Sequence, residues 1–145
     1  MKTRSIAGVV ALALIVGACA ADTGNGTTAE AVVGRGGELY QQYCAQCHGA
    51  DLSGDPNWKT PNDDGSYPPP PHDSSGHTWH HPDRVLFEMI RDGSDFPQSG
   101  MTAFGGRLND EDIEAILAFI KSKWGPEERA YQQQVTGQDQ ARAEE

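Results

Sequence analysis

The feature that most constrains this chain is a pair of cysteines two residues apart, with a histidine directly after the second. These residues are Cys44, Cys47 and His48, in the segment YCAQCHG. A thioredoxin-like redox pair would follow a strand in a βαβ unit, and no strand pattern precedes it here. A zinc site would need two further ligands, supplied by histidines of a distant segment. Neither alternative requires His48.

The C-x-x-C-H pattern is the attachment signature of a c-type haem. The two thiols add to the haem vinyl groups, and the residue that follows offers its imidazole to the iron. The motif therefore predicts one covalently bound haem c, attached at Cys44 and Cys47, with His48 as an axial ligand of the iron. Zinc and a bare redox pair stay open as alternatives.

The amino-terminal segment MKTRSIAGVVALALIVGACA has the layout of a bacterial secretory signal, with two basic residues, an apolar run and then small residues. The apolar run is too short for a transmembrane helix. The end of the segment, VGAC, resembles the lipobox of bacterial lipoproteins. We expect a signal peptide over residues 1–18, a lipidated Cys19, and a flexible tether over residues 19–35 that is rich in Gly, Thr and Ala. An ordinary signal cut near ACAA is the alternative.

These segments predict an exported protein on the periplasmic or cell-surface side of a bacterial membrane, held there only by a lipid anchor. The 145 residues have room for one small domain. Acidic residues outnumber basic ones 21 to 11, which argues against nucleic acid as a partner. We expect a redox partner protein with a basic docking face instead.

Apolar periodicity predicts three helices and no strands. The first runs into the cysteine motif from residue 36, the second follows Pro82, and the third follows Asn109 as its N-cap. The loop between the first two, residues 49–81, contains six of the nine prolines and has no periodicity. A loop of this length in a small domain is uncommon unless it wraps something. Residues 125–145 are expected to form a polar tail, with a helix after Pro126 as the alternative.

Over residues 36–124 the chain resembles the class I c-type cytochromes. The resemblance rests on GRGGELYQQYCAQCHG, on a middle helix and on GMTAFGGRLNDEDIEAILAFIKSKW, in the order of the family. It implies a small all-α cytochrome c fold, with about three main helices around one haem and a long proline-rich loop. It also implies that Gly36 and Tyr40 of the first helix pack against Ile116 and Phe119 of the last.

The resemblance places the sixth iron ligand on Met101, in the loop before the last helix. Elimination favours the same residue, because Met1 leaves with the signal peptide and Met89 lies in the apolar stripe of the second helix. A thioether raises the reduction potential relative to a second imidazole. With His48 and Met101 both bound, the iron has no free position for a substrate, so the chain is expected to be an electron carrier and not an enzyme.

The segment PHDSSGHTWHHPD has two interpretations. Its side chains could line the haem and bond its propionates, or its histidines could converge on copper or zinc. The alternatives to an electron carrier are therefore a redox-enzyme component in which haem binds a small ligand, and a metal-handling module. The residues concerned are His72, His77, Trp79, His80 and His81.

The lipid-anchor hypothesis is tested by the Cys19→Ser variant. Serine has no thiol to carry the lipid, so we expect lipid labelling and anchored processing to be lost. Haem attachment at the distant motif should be intact, which metabolic lipid labelling and a haem stain of the same samples would measure. Equal lipid labelling of Cys19→Ser and the native protein would contradict the hypothesis.

Overall fold

A computed structural model describes residues 28–145, which form α-helices and no β-strand. The predicted all-α fold is confirmed. The predicted signal peptide, Cys19 and the first part of the tether lie outside these residues. The elements are α1 (Ala29–Tyr43), α2 (Ala45–His48), a short 3₁₀ helix (Thr78–His80), α3 (Asp83–Asp92), α4 (Asp110–Ser122) and α5 (Pro126–Ala143).

The core is organised around the crossing of α1 and α4. Gly36 lies so close to α4 that a Cβ atom there would be 1.8 Å from the carbonyl oxygen of Ala115. One turn later Tyr40 is fully buried, and its ring centroid is 5.4 Å from that of Phe119. The predicted contact of Gly36 and Tyr40 with Phe119 is therefore present. The absence of a side chain at residue 36 lets the two backbones approach.

Helix α4 begins at the predicted cap. The Asn109 side chain accepts a hydrogen bond from the Asp112 backbone N–H, and the Asp112 carboxylate accepts one from the Asn109 N–H, which completes a capping box. Arg35 of α1 pairs with the same carboxylate. The buried stripe of α4 consists of Ile113, Ala115, Ile116, Leu117 and Ile120.

The start of α1 differs from the prediction. The sequence predicts a flexible tether through residue 35, whereas α1 begins at Ala29, with Thr28 as its N-cap accepting a hydrogen bond from the Ala31 N–H. These residues lack an apolar stripe, so periodicity gives no signal for them. The cap and the tie from Arg35 to α4 stabilise the helix instead.

The carboxyl-terminal segment over residues 125–145 is largely helical, so the alternative of a helix after Pro126 holds and the solvated tail does not. Pro126 occupies the first position of α5, where its missing N–H costs nothing. The helix is held by polar contacts: Arg84 makes two 2.9 Å hydrogen bonds to Asp139, and Gln132 is buried. Hydrogen bonding thus replaces the apolar stripe that a sequence pattern would reveal.

The long loop between α2 and α3 is ordered by backbone contacts. Gly54 has a φ of 59°, and a Cβ there would be 2.5 Å from the Pro70 backbone. Asp55 N–H donates to the Pro69 carbonyl at 2.9 Å. Near the end of the loop, His77 stacks on Trp58 with ring centroids 4.9 Å apart. The loop therefore folds back on itself as a compact, hydrogen-bonded segment.

The close approach at Gly36 predicts a large loss of stability for Gly36→Ala. The new methyl group would overlap the Ala115 carbonyl, and overpacking of this kind costs about 1–3 kcal/mol or more. Denaturant unfolding of the haem-loaded protein measures the loss in the free energy of unfolding. Gly34→Ala is the matched control, because a Cβ there meets nothing within 4 Å and the better helix former should be neutral or stabilising. Equal stability of the two variants would refute the packing described.

The stacked His77 ring predicts a dependence of stability on pH. Burial lowers the pKa of His77, and the charges of His81, His80 and Lys59 lower it further. Below about pH 6.5 the unfolded chain binds this proton more readily than the folded chain, so stability falls as the pH falls. His77→Phe keeps a ring against Trp58 and should lose less stability between pH 7 and pH 5.5. If the stability of His77→Phe and of the native protein depended on pH in the same way in unfolding experiments, this role of His77 would be contradicted.

Candidate functional site

The cysteine motif lies where α1 passes into α2. Cys44 joins the two helices, with its N–H donating to the Tyr40 carbonyl at 2.8 Å, and its own carbonyl accepts from the His48 N–H at 2.9 Å. The side chains of Cys44 and Cys47 and the histidine ring therefore project from a single helical segment. This is the arrangement that an attachment motif requires, because one rigid turn fixes three groups relative to one another.

Both cysteines are free thiols in the structure. Burial, with a smaller contribution from the neighbouring Cys47, raises the pKa of the Cys44 thiol to about 11. An activated redox cysteine has the opposite shift, since the thiolate is the reactive form. The protonation of Cys44 therefore gives no support to the alternative of a redox pair.

His48 is buried and oriented by one hydrogen bond. Its Nδ1 lies 2.9 Å from the carbonyl oxygen of Pro70. A carbonyl only accepts, so Nδ1 carries the proton and Nε2 keeps its lone pair. Burial lowers the pKa of His48, although the bond to Pro70 opposes the shift. A neutral imidazole with one nitrogen fixed by a backbone carbonyl is the usual state of a metal-binding histidine.

His72 stacks face to face on His48. The ring centroids are 3.9 Å apart and the planes differ by 27°. Both backbone groups of His72 form hydrogen bonds. Its N–H donates to the Leu52 carbonyl and its carbonyl accepts from Trp124 Nε1, each at 2.8 Å. Burial lowers the pKa of His72 well below its usual value, and His48 adds to the shift. The ring is therefore neutral and rigidly placed.

Three buried side-chain nitrogens have no hydrogen-bond partner among residues 28–145: His72 Nδ1, His77 Nδ1 and Trp79 Nε1. A buried polar group without a partner costs about 1–3 kcal/mol. Trp79 Nε1 can only donate, and a neutral imidazole donates through one of its two nitrogens. Three such nitrogens within eight residues suit a bound group that carries acceptors. The two propionates of a haem supply such acceptors, so the residues present fit this cofactor.

Met101 lies in the loop between α3 and α4 and is half-buried. Its backbone N–H donates to Ser99 Oγ at 3.2 Å, and its carbonyl accepts from the Ser94 N–H at 3.4 Å. Its side chain packs against the same buried apolar cluster as Cys44. The thioether is therefore held at the border of the core by a backbone that is itself hydrogen-bonded.

The structure does not bring the loop histidines together. His72 lies against His48, the rings of His77 and His81 meet edge to face at 5.4 Å, and His80 packs on Trp79. No group of three or more potential metal ligands occurs within residues 28–145. The interpretation of these histidines as a copper or zinc site is thus without geometric support in this part of the chain.

Two contacts that orient the histidines of the site were not predicted from the sequence. The Pro70 carbonyl orients His48, and Trp124 anchors His72 from the far end of the domain. The run of four prolines at residues 68–71 was the available signal for the first, because such a run presents its carbonyls in a stiff, extended backbone. Nothing in the sequence pairs Trp124 with a residue more than fifty positions earlier.

Among residues 28–145, no helix has the length and apolar character needed to cross a membrane. Neither the curated proteins nor the solved structures returned a match. The family described as cytochrome c oxidase, cbb3-type, subunit III matches residues 31–120, more than half of the chain. These residues include the cysteine motif, the histidine loop and Met101, so the chain belongs to this family of c-type cytochrome domains.

Proposed function

We propose that this protein is an electron carrier that passes single electrons through one covalently attached haem c, with His48 and Met101 as axial ligands. The hydrogen bond from His48 Nδ1 to the Pro70 carbonyl is the observation that carries the proposal. It fixes the tautomer and the direction of the ring, and it has no purpose in a redox pair of cysteines. When bound, the cofactor supplies reversible one-electron chemistry at its iron.

The residues of the chain have separate tasks in this proposal. Cys44 and Cys47 retain the cofactor by thioether bonds, for which both thiols are available. His48 binds the iron through Nε2. His72 and Trp79 exclude water from the pocket and supply nitrogens that suit the propionates. No residue of the site is required to move a proton, as expected for a carrier and not for an acid–base catalyst.

Met101 is preferred to the histidines as the sixth ligand on the basis of position. His72 is stacked flat on the His48 ring, so its imidazole lies beside the proposed first ligand. His77 stacks on Trp58, and His80 contacts Trp79 and Tyr131. Met101, in contrast, lies on a separate loop whose thioether borders the apolar core. A soft sulfur ligand favours ferrous iron and a raised potential.

The proposed location of the protein rests on the predicted signal peptide and on Cys19. An exported carrier, held by lipid at Cys19 on the periplasmic or cell-surface side, would exchange electrons with partners at the membrane surface. The formal charge of −10 favours partners with a basic face. Covalent attachment suits this location, because the cofactor cannot diffuse away.

A second candidate is a component of a redox enzyme. The description of the matched family names a subunit of an oxidase, so this chain could act within a larger assembly and not as a mobile carrier. In the version in which haem also binds a small ligand, Met101 would leave the iron. Ready formation of a carbon monoxide complex by the native ferrous protein at neutral pH would favour that version.

The ligand assignment is tested by Met101→Ala. The attachment residues and His48 lie on another part of the fold, so the haem content should be unchanged. We expect the far-red charge-transfer band of the ferric protein to vanish, the ferrous protein to bind carbon monoxide, and the reduction potential to fall as water or a nitrogen ligand replaces sulfur. Absorption spectroscopy and a redox titration measure these changes.

Met89→Leu is the matched control, because Met89 is half-buried on α3 and leucine preserves its apolar volume. It should leave the spectrum and the potential unchanged. If Met89→Leu abolishes the band and Met101→Ala does not, the ligand is Met89. If neither variant has an effect, a histidine occupies the sixth position and the protein is a bis-histidine cytochrome of lower potential.

A further inference from the structure

We infer that the partner of this carrier docks on a small aromatic and acidic surface beside the Met101 loop. This surface, the Tyr67–Phe96 patch, consists of the two aromatic side chains and the carboxylates of Asp63, Asp64 and Asp95. The inference rests on the proposed electron-transfer function and adds to it the place and the chemistry of the contact.

The aromatic centre of the patch is exposed without an evident structural reason. Phe96 is 51% exposed and Tyr67 is 38% exposed, and Tyr131 is the remaining exposed large hydrophobic residue in residues 28–145. The two rings contact each other, with centroids 5.9 Å apart and planes inclined by 55°. Such a ring pair suits a protein contact, because aromatic side chains are enriched at the centres of protein interfaces.

The patch is connected to the candidate sixth ligand by hydrogen bonds. The Tyr67 N–H donates to the Gln98 carbonyl at 3.0 Å, and residues Tyr67 and Ser99 form an isolated parallel bridge. Ser99 Oγ in turn accepts a hydrogen bond from the Met101 N–H at 3.2 Å. A protein bound to the patch would therefore touch the loop that positions the thioether, which is where a short electron path into the partner is needed.

Three carboxylates flank the two aromatic residues in sequence. Asp63 and Asp64 lie in a turn four and three residues before Tyr67, and Asp95 directly precedes Phe96. All three are exposed, and none forms an ion pair within residues 28–145, whereas nearby Asp92 is paired with Arg91. Asp64 also accepts from the backbone N–H and the hydroxyl of Ser66 at 2.9 and 2.7 Å, so the turn that carries the charges is ordered.

The aromatic rings and the carboxylates of the Tyr67–Phe96 patch together favour one kind of partner protein. An apolar centre with a charged rim is the usual anatomy of a protein interface, and the small size fits the brief contacts of redox partners. The negative rim favours a redox protein whose own apolar contact area is surrounded by lysines or arginines. A second copy of this acidic chain and an anionic membrane would both be repelled.

The test uses a lysine-rich mitochondrial-type cytochrome c as the probe protein. Its electron exchange with the haem-loaded protein is followed by stopped-flow spectroscopy at low and at physiological ionic strength. One variant combines Asp63→Asn, Asp64→Asn and Asp95→Asn, and another is Phe96→Ala. At low salt we expect the rate constant to fall roughly tenfold for the triple variant, at the lower end of the range for electrostatic steering. Its dependence on salt should also become flatter than that of the native protein.

The matched control is Glu127→Gln, Glu144→Gln and Glu145→Gln, which changes the net charge equally on exposed residues at or near α5. This control should stay within twofold of the native rate. The reduction potential of every variant is measured too, since a changed driving force would alter the rate without any change in docking. All the substituted residues are exposed, and Asn at position 64 still offers an acceptor to Ser66.

Two results would overturn the docking site: equal losses in the patch and control variants, which would indicate a diffuse charge effect, or no loss in either patch variant. Failure of the electron-carrier proposal itself would be recognised separately. In that case the native protein would exchange electrons slowly even with a small inorganic oxidant, for which no docking surface is needed. Normal exchange with the small oxidant together with unaffected patch variants would reject only the patch.

Discussion

The hydrogen bond between His48 and the Pro70 carbonyl joins the two halves of this small domain. One half is helical and carries the cysteine motif, and the other is the long loop that follows it. The neighbouring groups of the same proline run extend the connection, because the Pro71 carbonyl accepts from Thr78 Oγ1 and His72 is anchored by Trp124. The proline run and His72 thus orient the His48 ring, hold the loop closed and connect it to Trp124.

This arrangement explains why a chain with so few apolar residues folds around its site. The apolar core is built around α4, and the α1 backbone meets it at Gly36. The other side of the pocket consists of rings and backbone carbonyls, and several of its buried nitrogens have no partner within residues 28–145. A bound cofactor with its own acceptors would complete the interior, so binding and folding are expected to support each other.

The helices that bury an apolar stripe were predictable, and the contacts made by polar or backbone groups were not. The helix after Asn109 was evident from its cap and its isoleucines, and the helix after Pro82 from the spacing of Leu86 and Ile90. Helix α5 was predicted only as the alternative to a polar tail, because Gln132 and Asp139 hold it through hydrogen bonds, which leave no periodic signal.

The residues of the candidate site were likewise predictable only in part. Its cysteines and first histidine are specified by a contiguous motif, whereas the Pro70 carbonyl is a backbone group and the stacking of His72 on His48 joins residues far apart in the chain. The four loop histidines were close in sequence, yet the turns between them point their rings to different neighbours. Proximity along the chain was therefore a poor guide to convergence in space.

The early start of α1 also limits how far the domain could travel. If Cys19 carries the lipid, the first helical residue, Ala29, follows the anchor by ten positions, and not by the seventeen positions that a helix starting at residue 36 would give. A fully extended segment of ten residues reaches at most about 35 Å. The near face of the domain would then stay within that distance of the membrane surface, and its partners would have to present their redox centres where the tethered domain can reach them.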